Sequence, residues 1–241
     1  MFRSIRLARV VRSLPPLAGF LLAVSGALAA ELPGYVGPAF ARFNPDPPAG
    51  WAFTATVVRG TDTIVESFDP SRAAGKKWLL EKVNGHVPTA GESDKYSRYR
   101  ETMDSAATAR ATFTRGDVDF GNIRDVSSES AKVTFRCGFR AEAPDPVLAH
   151  LGLVVTAASD PGRIVHTTLH LISPFSPILG VTMKSLTVET SYATPPGESV
   201  EMPAVRTSRF TGRVFWFWSI DEIVETRYSG FHRVTGPSAR P

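Results

Sequence analysis

Beyond residue 50, apolar and polar residues alternate one for one through most of the chain, and only extended strands with one buried face satisfy a period of two. Trp51, Phe53, Ala55 and Val57 share one face of the first such stretch. A second, 61–68, follows the Arg59-Gly60 break. A third, 76–83, lies between the loop opened by Asp69-Pro70-Ser71 and the Asn84-Gly85 turn. Further strands are expected at 117–126, 131–141, 151–158, 163–173, 179–192, 204–218 and 222–234, with Asp160-Pro161-Gly162 as a tight turn between two of them. About ten strands with this pattern exclude a helical or doubly wound protein.

One helix interrupts the ladder. Thr89 and Glu92 fit a capping box, in which each side chain satisfies a backbone donor left free at a helix start. Tyr96, Tyr99, Met103 and Ala106 then form an apolar stripe, opposite Asp94, Lys95, Arg98 and Glu101. A shorter helix is expected from Asp145, with Pro146 in the first turn, to Gly152. The Pro-rich stretches Pro33–Pro48 and Pro195–Pro203 read as surface connections. The expected fold is mainly β (α+β): a single curved antiparallel sheet or half-open β-barrel with one or two helices on its concave side. Residues 31–49 are a Pro-rich lead-in, 50–234 one β-rich domain and 235–241 a flexible tail.

Residues 1–30 read as an export signal. Arg3, Arg6, Arg9 and Arg12 precede an apolar stretch that ends in Ala27-Leu28-Ala29-Ala30, a small-x-small cleavage site. The run from Leu17 to Ala30 is 14 residues long, short of the about 20 that cross a bilayer. The expectation is a periplasmic protein, cleaved near Ala29/Ala30, with no lipid-attachment cysteine, no transmembrane segment after cleavage, and a monomeric state. Four of the 27 Lys and Arg and none of the 23 Asp and Glu lie in the signal, so the remainder is neutral. That removes the main support for nucleic-acid binding. Cys137 is the single cysteine. It alternates with Val133, Phe135 and Phe139 and reads as a small buried hydrophobe.

The sequence shows no established catalytic or cofactor motif. His166 and His170 share a strand face with Ile164, Thr168 and Ile172, but at about 3.3 Å per residue they stand about 13 Å apart, too far for one metal ion. Asp221-Glu222 reads as a solvated turn between Trp218 and Ile223, Asp117 and Asp119 as exposed carboxylates, and Asp69 with Ser71 as a loop brace. Arg115-Gly116-Asp117 is a chance tripeptide. The expectation is no catalytic residue, no metal and no cofactor.

Aromatic residues give the functional expectation. Phe215, Trp216, Phe217 and Trp218 alternate on both faces of one strand, so both faces need cover: the core on one, and a helix, ligand or partner on the other. Candidate cavity residues are Trp51, Phe53, Tyr96, Tyr99, Met103, Phe135, Phe139, Phe215, Trp216, Phe217 and Trp218. The leading expectation is an apolar ligand, a lipid or lipidated protein, held in the sheet with the helix after Thr89 as a lid. The alternatives are a protein–protein interaction module and a hydrolase whose site only the fold assembles.

Several stretches resemble a family of uncharacterised exported bacterial proteins: Phe68-Asp69-Pro70-Ser71 with Trp78-Leu79-Leu80, Asn84-Gly85 with Pro88-Thr89, Pro174-Phe175-Ser176-Pro177 with Gly180-Val181 and Lys184, and Arg213-Val214-Phe215-Trp216-Phe217 with Asp221-Glu222 and Tyr228-Ser229. The resemblance covers roughly residues 50–232. It implies a fold similar to the periplasmic lipoprotein carriers of the LolA/LolB type, a half-open barrel with helices plugging its concave side. It implies no activity.

Overall fold

The computed structural model describes residues 32–73, 75–105, 113–178, 180–215 and 218–234. The protein is mainly β, as the alternation predicts. Eleven strands form one antiparallel sheet: β1 Trp51–Arg59, β2 Asp62–Phe68, β3 Trp78–Val83, β4 Val118–Glu129, β5 Lys132–Phe139, β6 Leu151–Ala158, β7 Arg163–Leu171, β8 Phe175–Ile178, β9 Val181–Ala193, β10 Met202–Val214 and β11 Trp218–Arg233. Their order across the sheet is β3-β2-β1-β11-β10-β9-β7-β6-β5-β4, with β8 beside β9. The sheet stays open, with β3 and β4 at its two edges.

Directly opposed residues of antiparallel strands point to the same face, so the register traces one inner face across the molecule. Trp78 faces Phe68, Phe68 faces Phe53, and Leu80 faces Glu66, which faces Ala55. Ala55 faces Tyr228, Thr226 faces Arg206, and Arg206 faces Thr190. The line continues through Thr167 to Val155 and Phe135. Two helices, α1 (Val36–Arg42) and α2 (Ala90–Ser105), pack on this sheet, α1 mainly on β7 and α2 on β3.

The deepest core lies under α1. Val133, Phe135, Cys137, Leu153, Val155 and Ile164 are buried there with Val36, Ala39 and Phe40. Val36, Ala39 and Phe40 recur at helical spacing, and Pro38 sits in the first turn, where its missing N–H costs nothing. The Phe40 ring meets Phe120 edge-on at 4.9 Å, and Phe43 meets Tyr192 at 4.8 Å. Residues 33–48 are therefore not a surface connection, contrary to the sequence reading. The second Pro-rich stretch is corrected at its end, where Glu201, Met202 and Pro203 are buried.

Three other expectations change. Ile164 does not share a face with His166 and His170. The register slips between Thr156 and Ala157, so His166 faces Thr156 while Ile164 faces Ala157 and is buried. The hairpin turn lies between Val214 and Trp218, not at Asp221-Glu222, which sit inside β11 opposite Thr211 and Phe210. The short helix after Asp145 is a 3-10 turn, Pro146–His150, capped as expected by the Asp145 carboxylate accepting from Val147 N–H at 2.9 Å. β4 is irregular: Asp119 faces Gly138, but Arg124 faces Arg136. Its inward residues, Phe120, Ile123 and Val126, are accordingly spaced by three, since a bulge adds residues on one strand only.

Candidate functional site on the inner face

The inner face between the two helices carries charge where a sheet core is usually apolar. Glu66 is only 4% exposed. Its carboxylate accepts from the Tyr96 hydroxyl at 2.6 Å and pairs with the Arg100 guanidinium, which also donates from Nε to the Tyr96 oxygen at 3.0 Å. Tyr96 and Arg100 are four residues apart and so project from one face of α2. The guanidinium stacks over Trp78 at 3.9 Å. Burial and the Glu66 charge push the Tyr96 hydroxyl far above its ordinary value. Burial alone would lower the Arg100 pKa, but Glu66 more than offsets it and the net shift is upward.

A second charged group lies on β10. Arg206 Nη2 donates to Asp46 Oδ1 at 2.8 Å and to the Pro45 carbonyl at 3.0 Å, while Nε donates to Thr190 Oγ1 at 3.3 Å. This ties the N-terminal segment to the middle of the sheet across 160 residues of sequence. Arg206 also titrates above its ordinary range, because Tyr228 and Asp46 outweigh its burial. Beside it, the Tyr192 hydroxyl meets the Thr167 hydroxyl at 3.1 Å and is pushed up to about 12 by burial. Tyr228 stands between the two charged groups: its ring lies 6.0 Å from the Arg206 guanidinium and 5.7 Å from Phe53, and burial raises its pKa.

Apolar surface flanks this polar waist. Toward the β10–β11 turn, Leu186 faces Phe210, Ile220 faces Gly212 and Val224 faces Ser208, with Val57 and Ile64 one and two strands further on. All six apolar side chains are half-buried on the inner face, where Glu222, opposite Phe210, pairs with Arg59. Among the described residues no helix has its main packing on β9, β10 or β11. One cleft opens at the turn end of the strip and another beyond the waist, at the opposite end of these strands. The latter, of about 350 Å³, is lined by Thr194, Pro195, Met202, Pro203, Tyr228 and Phe231. The former, of about 640 Å³, is lined by Arg59, Gly60 and the Trp218–Ile223 run.

The predicted cavity residues divide among several places. Trp51 and Phe53 are buried on β1, and Arg233 lies over the Trp51 ring at 5.0 Å. Phe135 is fully buried in the core under α1, and Phe139 packs on Phe113 with ring centroids 5.5 Å apart. Tyr96 reaches Glu66, whereas Tyr99 is 54% exposed. Tyr96 and Arg100 thus face the sheet and Tyr99 does not, while Ala106 of the expected stripe lies outside the described residues. The Met103 side chain and residues Trp216 and Phe217 lie outside the described residues. Phe215 and Trp218 sit at the hairpin end, 61% and 68% exposed.

Sequence reasoning missed Glu66, Arg100, Arg206, Asp46 and Tyr228, whose partners come from distant elements. The remaining candidates have local roles. Asp117 closes a cap with Thr114, and Asp119 accepts from Gly121 N–H at 3.0 Å. Asp69 accepts from the Ser71 hydroxyl and N–H, which lowers its pKa. Cys137 is buried, and burial together with Asp119 pushes its thiol up to about 12. His166 meets the Thr168 hydroxyl at 3.3 Å, and His150 stacks on Phe175 at 4.5 Å. The His170 ring lies against Gly152, where an added Cβ would approach it to 2.7 Å. Burial, then the Arg136 charge, lowers the His170 pKa. Among the described residues no three His, Cys, Asp or Glu are placed to hold a metal ion.

No family model and no curated protein matches the chain. Two solved structures are similar to it at low level. One is GphF DH1, described as an isomerase-inactive variant, at 11% identity over 85% of this chain and 82% of that one, with a TM-score of 0.16. The other is a GphF dehydratase variant for improved crystallization, at 12% identity over 83% and 81%, with a TM-score of 0.14. Similarity this low carries no inference about fold or function. No helix among the described residues is long and apolar enough to cross a membrane.

Proposed function

We propose that the protein is an exported binding protein that holds an apolar ligand, a lipid or the acyl part of a lipidated protein, along the inner face of its sheet. The observation that carries this reading is the half-buried, mainly apolar strip of Leu186, Phe210, Ile220 and Val224, interrupted by Glu222 paired with Arg59, with a cleft at its turn end and no helix packed mainly on it among the described residues. The volume of the larger cleft falls within the ~300–1,000 Å³ usual for ligand sites. Tyr228 lines the smaller cleft, its ring 6.0 Å from the Arg206 guanidinium. Arg206 and Arg100 are already paired with Asp46 and Glu66, so recognition rests on apolar burial, about 25 cal/mol per Å² before the cost of association. The N-terminal signal pattern and the resemblance to exported proteins whose fold is similar to LolA/LolB-type carriers support the same reading.

The test is native mass spectrometry of the protein from expressing cells, followed by titration with a fluorescent fatty acid. Co-purified lipid and saturable binding are expected. Phe210→Asp, which puts a charge in the strip, is expected to weaken binding at least about tenfold, the effect of losing one well-buried apolar contact. Ligand-free protein that binds no fatty acid would overturn the proposal.

A further inference from the structure

The β10–β11 hairpin runs past its neighbour. β1 ends at Arg59 opposite Val224, so Trp218–Ile223 project beyond it. At this end Phe215 and Trp218 are mostly exposed, and so is Ile172 at 64%. Their presentation is structural. Phe215 has φ +50, a left-handed conformation that a bulky side chain rarely adopts. Its N–H donates to the Gly180 carbonyl, and a Cβ on Gly180 would come within 2.9 Å of its ring. The β8–β9 turn therefore braces the aromatic end from below. Strain of this kind is retained where it serves a purpose.

Charge identifies what the end meets. The stretches 172–185 and 208–220 contain Lys184, Arg209 and Arg213 and no acidic residue. All three cations are exposed. The next acids along β11 are Asp221 and Glu222, and Glu222 is already ion-paired with Arg59. Exposed aromatic rings at an end where three exposed cations outnumber the one acid set among them, Asp221 opposite Thr211, match a lipid interface, where Trp settles at headgroup level and Arg and Lys meet anionic headgroups. We propose that this hairpin end docks on an anionic lipid bilayer. The docking surface shares Trp218 with the larger cleft, while Arg209 and Arg213 lie outside both clefts.

The experiment measures co-sedimentation of the full chain with phosphatidylcholine vesicles, with and without phosphatidylglycerol, and the shift of tryptophan emission. Binding is expected with phosphatidylglycerol present, weakening as salt rises. Phe215→Asn combined with Trp218→Ser is expected to weaken it at least about tenfold, since Asn tolerates the left-handed backbone and neither new side chain partitions into lipid. Arg209→Glu with Arg213→Glu is expected to abolish the preference for anionic vesicles while leaving the turn intact. Parent and variants carry the same N-terminal segment, so its contribution cancels. Fluorescent fatty acid binding should be unchanged in Arg209→Glu with Arg213→Glu, since neither residue lines a cleft, and this separates failure of docking from failure of ligand holding. Absence of vesicle binding, equal binding by parent and aromatic variant, or loss only of a crosslinked protein partner would overturn the proposal.

Discussion

Over β5–β7 the inner face is closed by α1 with apolar side chains, Val36, Ala39 and Phe40 resting on a core that includes Phe135 and Val155. Over β2–β3 it is closed by α2, whose anchoring contacts are an ion pair, a tyrosine hydroxyl and a guanidinium over an indole. α1 is 7 residues long and α2 is 16, yet the shorter helix is the more deeply embedded. Helix length therefore says little about attachment here. Apolar burial holds α1 without demanding one geometry. A buried ion pair holds α2 only while both partners are present, because removing one strands a charge away from water.

The largest expected effect falls on the apolar side. Phe135→Ala should lower stability by about 3–5 kcal/mol in urea unfolding, and Cys137 should become open to thiol reagents at lower urea than in the parent. A cost below about 1 kcal/mol would mean that this side does not anchor the fold. Next, Glu66→Ala should cost about 3 kcal/mol by leaving Arg100 unpaired. Hydrogen exchange should then show α2 losing protection while β5–β7 keep theirs. Glu66→Leu with Arg100→Met should restore most of that loss, and failure to do so would break the contrast.

Smaller effects concern the start of α2. Thr89→Ala removes the hydroxyl that accepts from Glu92 N–H and should cost about 1 kcal/mol. Hydrogen bonds from Thr89 N–H and its hydroxyl, with minor help from His86, hold the Glu92 carboxylate below its ordinary 4.5. A folded value below the unfolded one stabilises the folded state above pH 4.5, and the contribution is lost as pH falls through the lower value. Amide protection in the first turn of α2 should fall over that acid range, with less pH dependence in Thr89→Ala. An unchanged profile would show that the cap does not govern α2 attachment.

The strands were legible because their period survives folding: 151–158 coincides with β6, and 163–173 and 179–192 overlap β7 and β9 closely. Features that break the period were not. The bulge in β7 reverses the phase of Ile164 relative to His166, and Phe215 turns a hairpin without the Gly or Asn that usually marks one. α1 was hidden by its proline and its brevity. The charged waist was the least legible part. Arg206 with Asp46 and Arg100 with Glu66 are 160 and 34 residues apart, and no local pattern announces such a pair. Each residue alone resembles an ordinary surface charge.

An open sheet has two strands with unpaired backbone, and such rows can template fibrils by recruiting other chains. β3 answers this hazard by being 6 residues long, with Glu81 and Lys82 exposed. β4 is 12 residues long and is protected differently: slipped register, Arg124 and Asp125 facing solvent, and Asp125 in a left-handed conformation. The same irregularity that lets Phe120, Ile123 and Val126 reach inward leaves its outer edge too crooked to accept another straight strand. Straightening β4 would favour fibrils before it improved the fold.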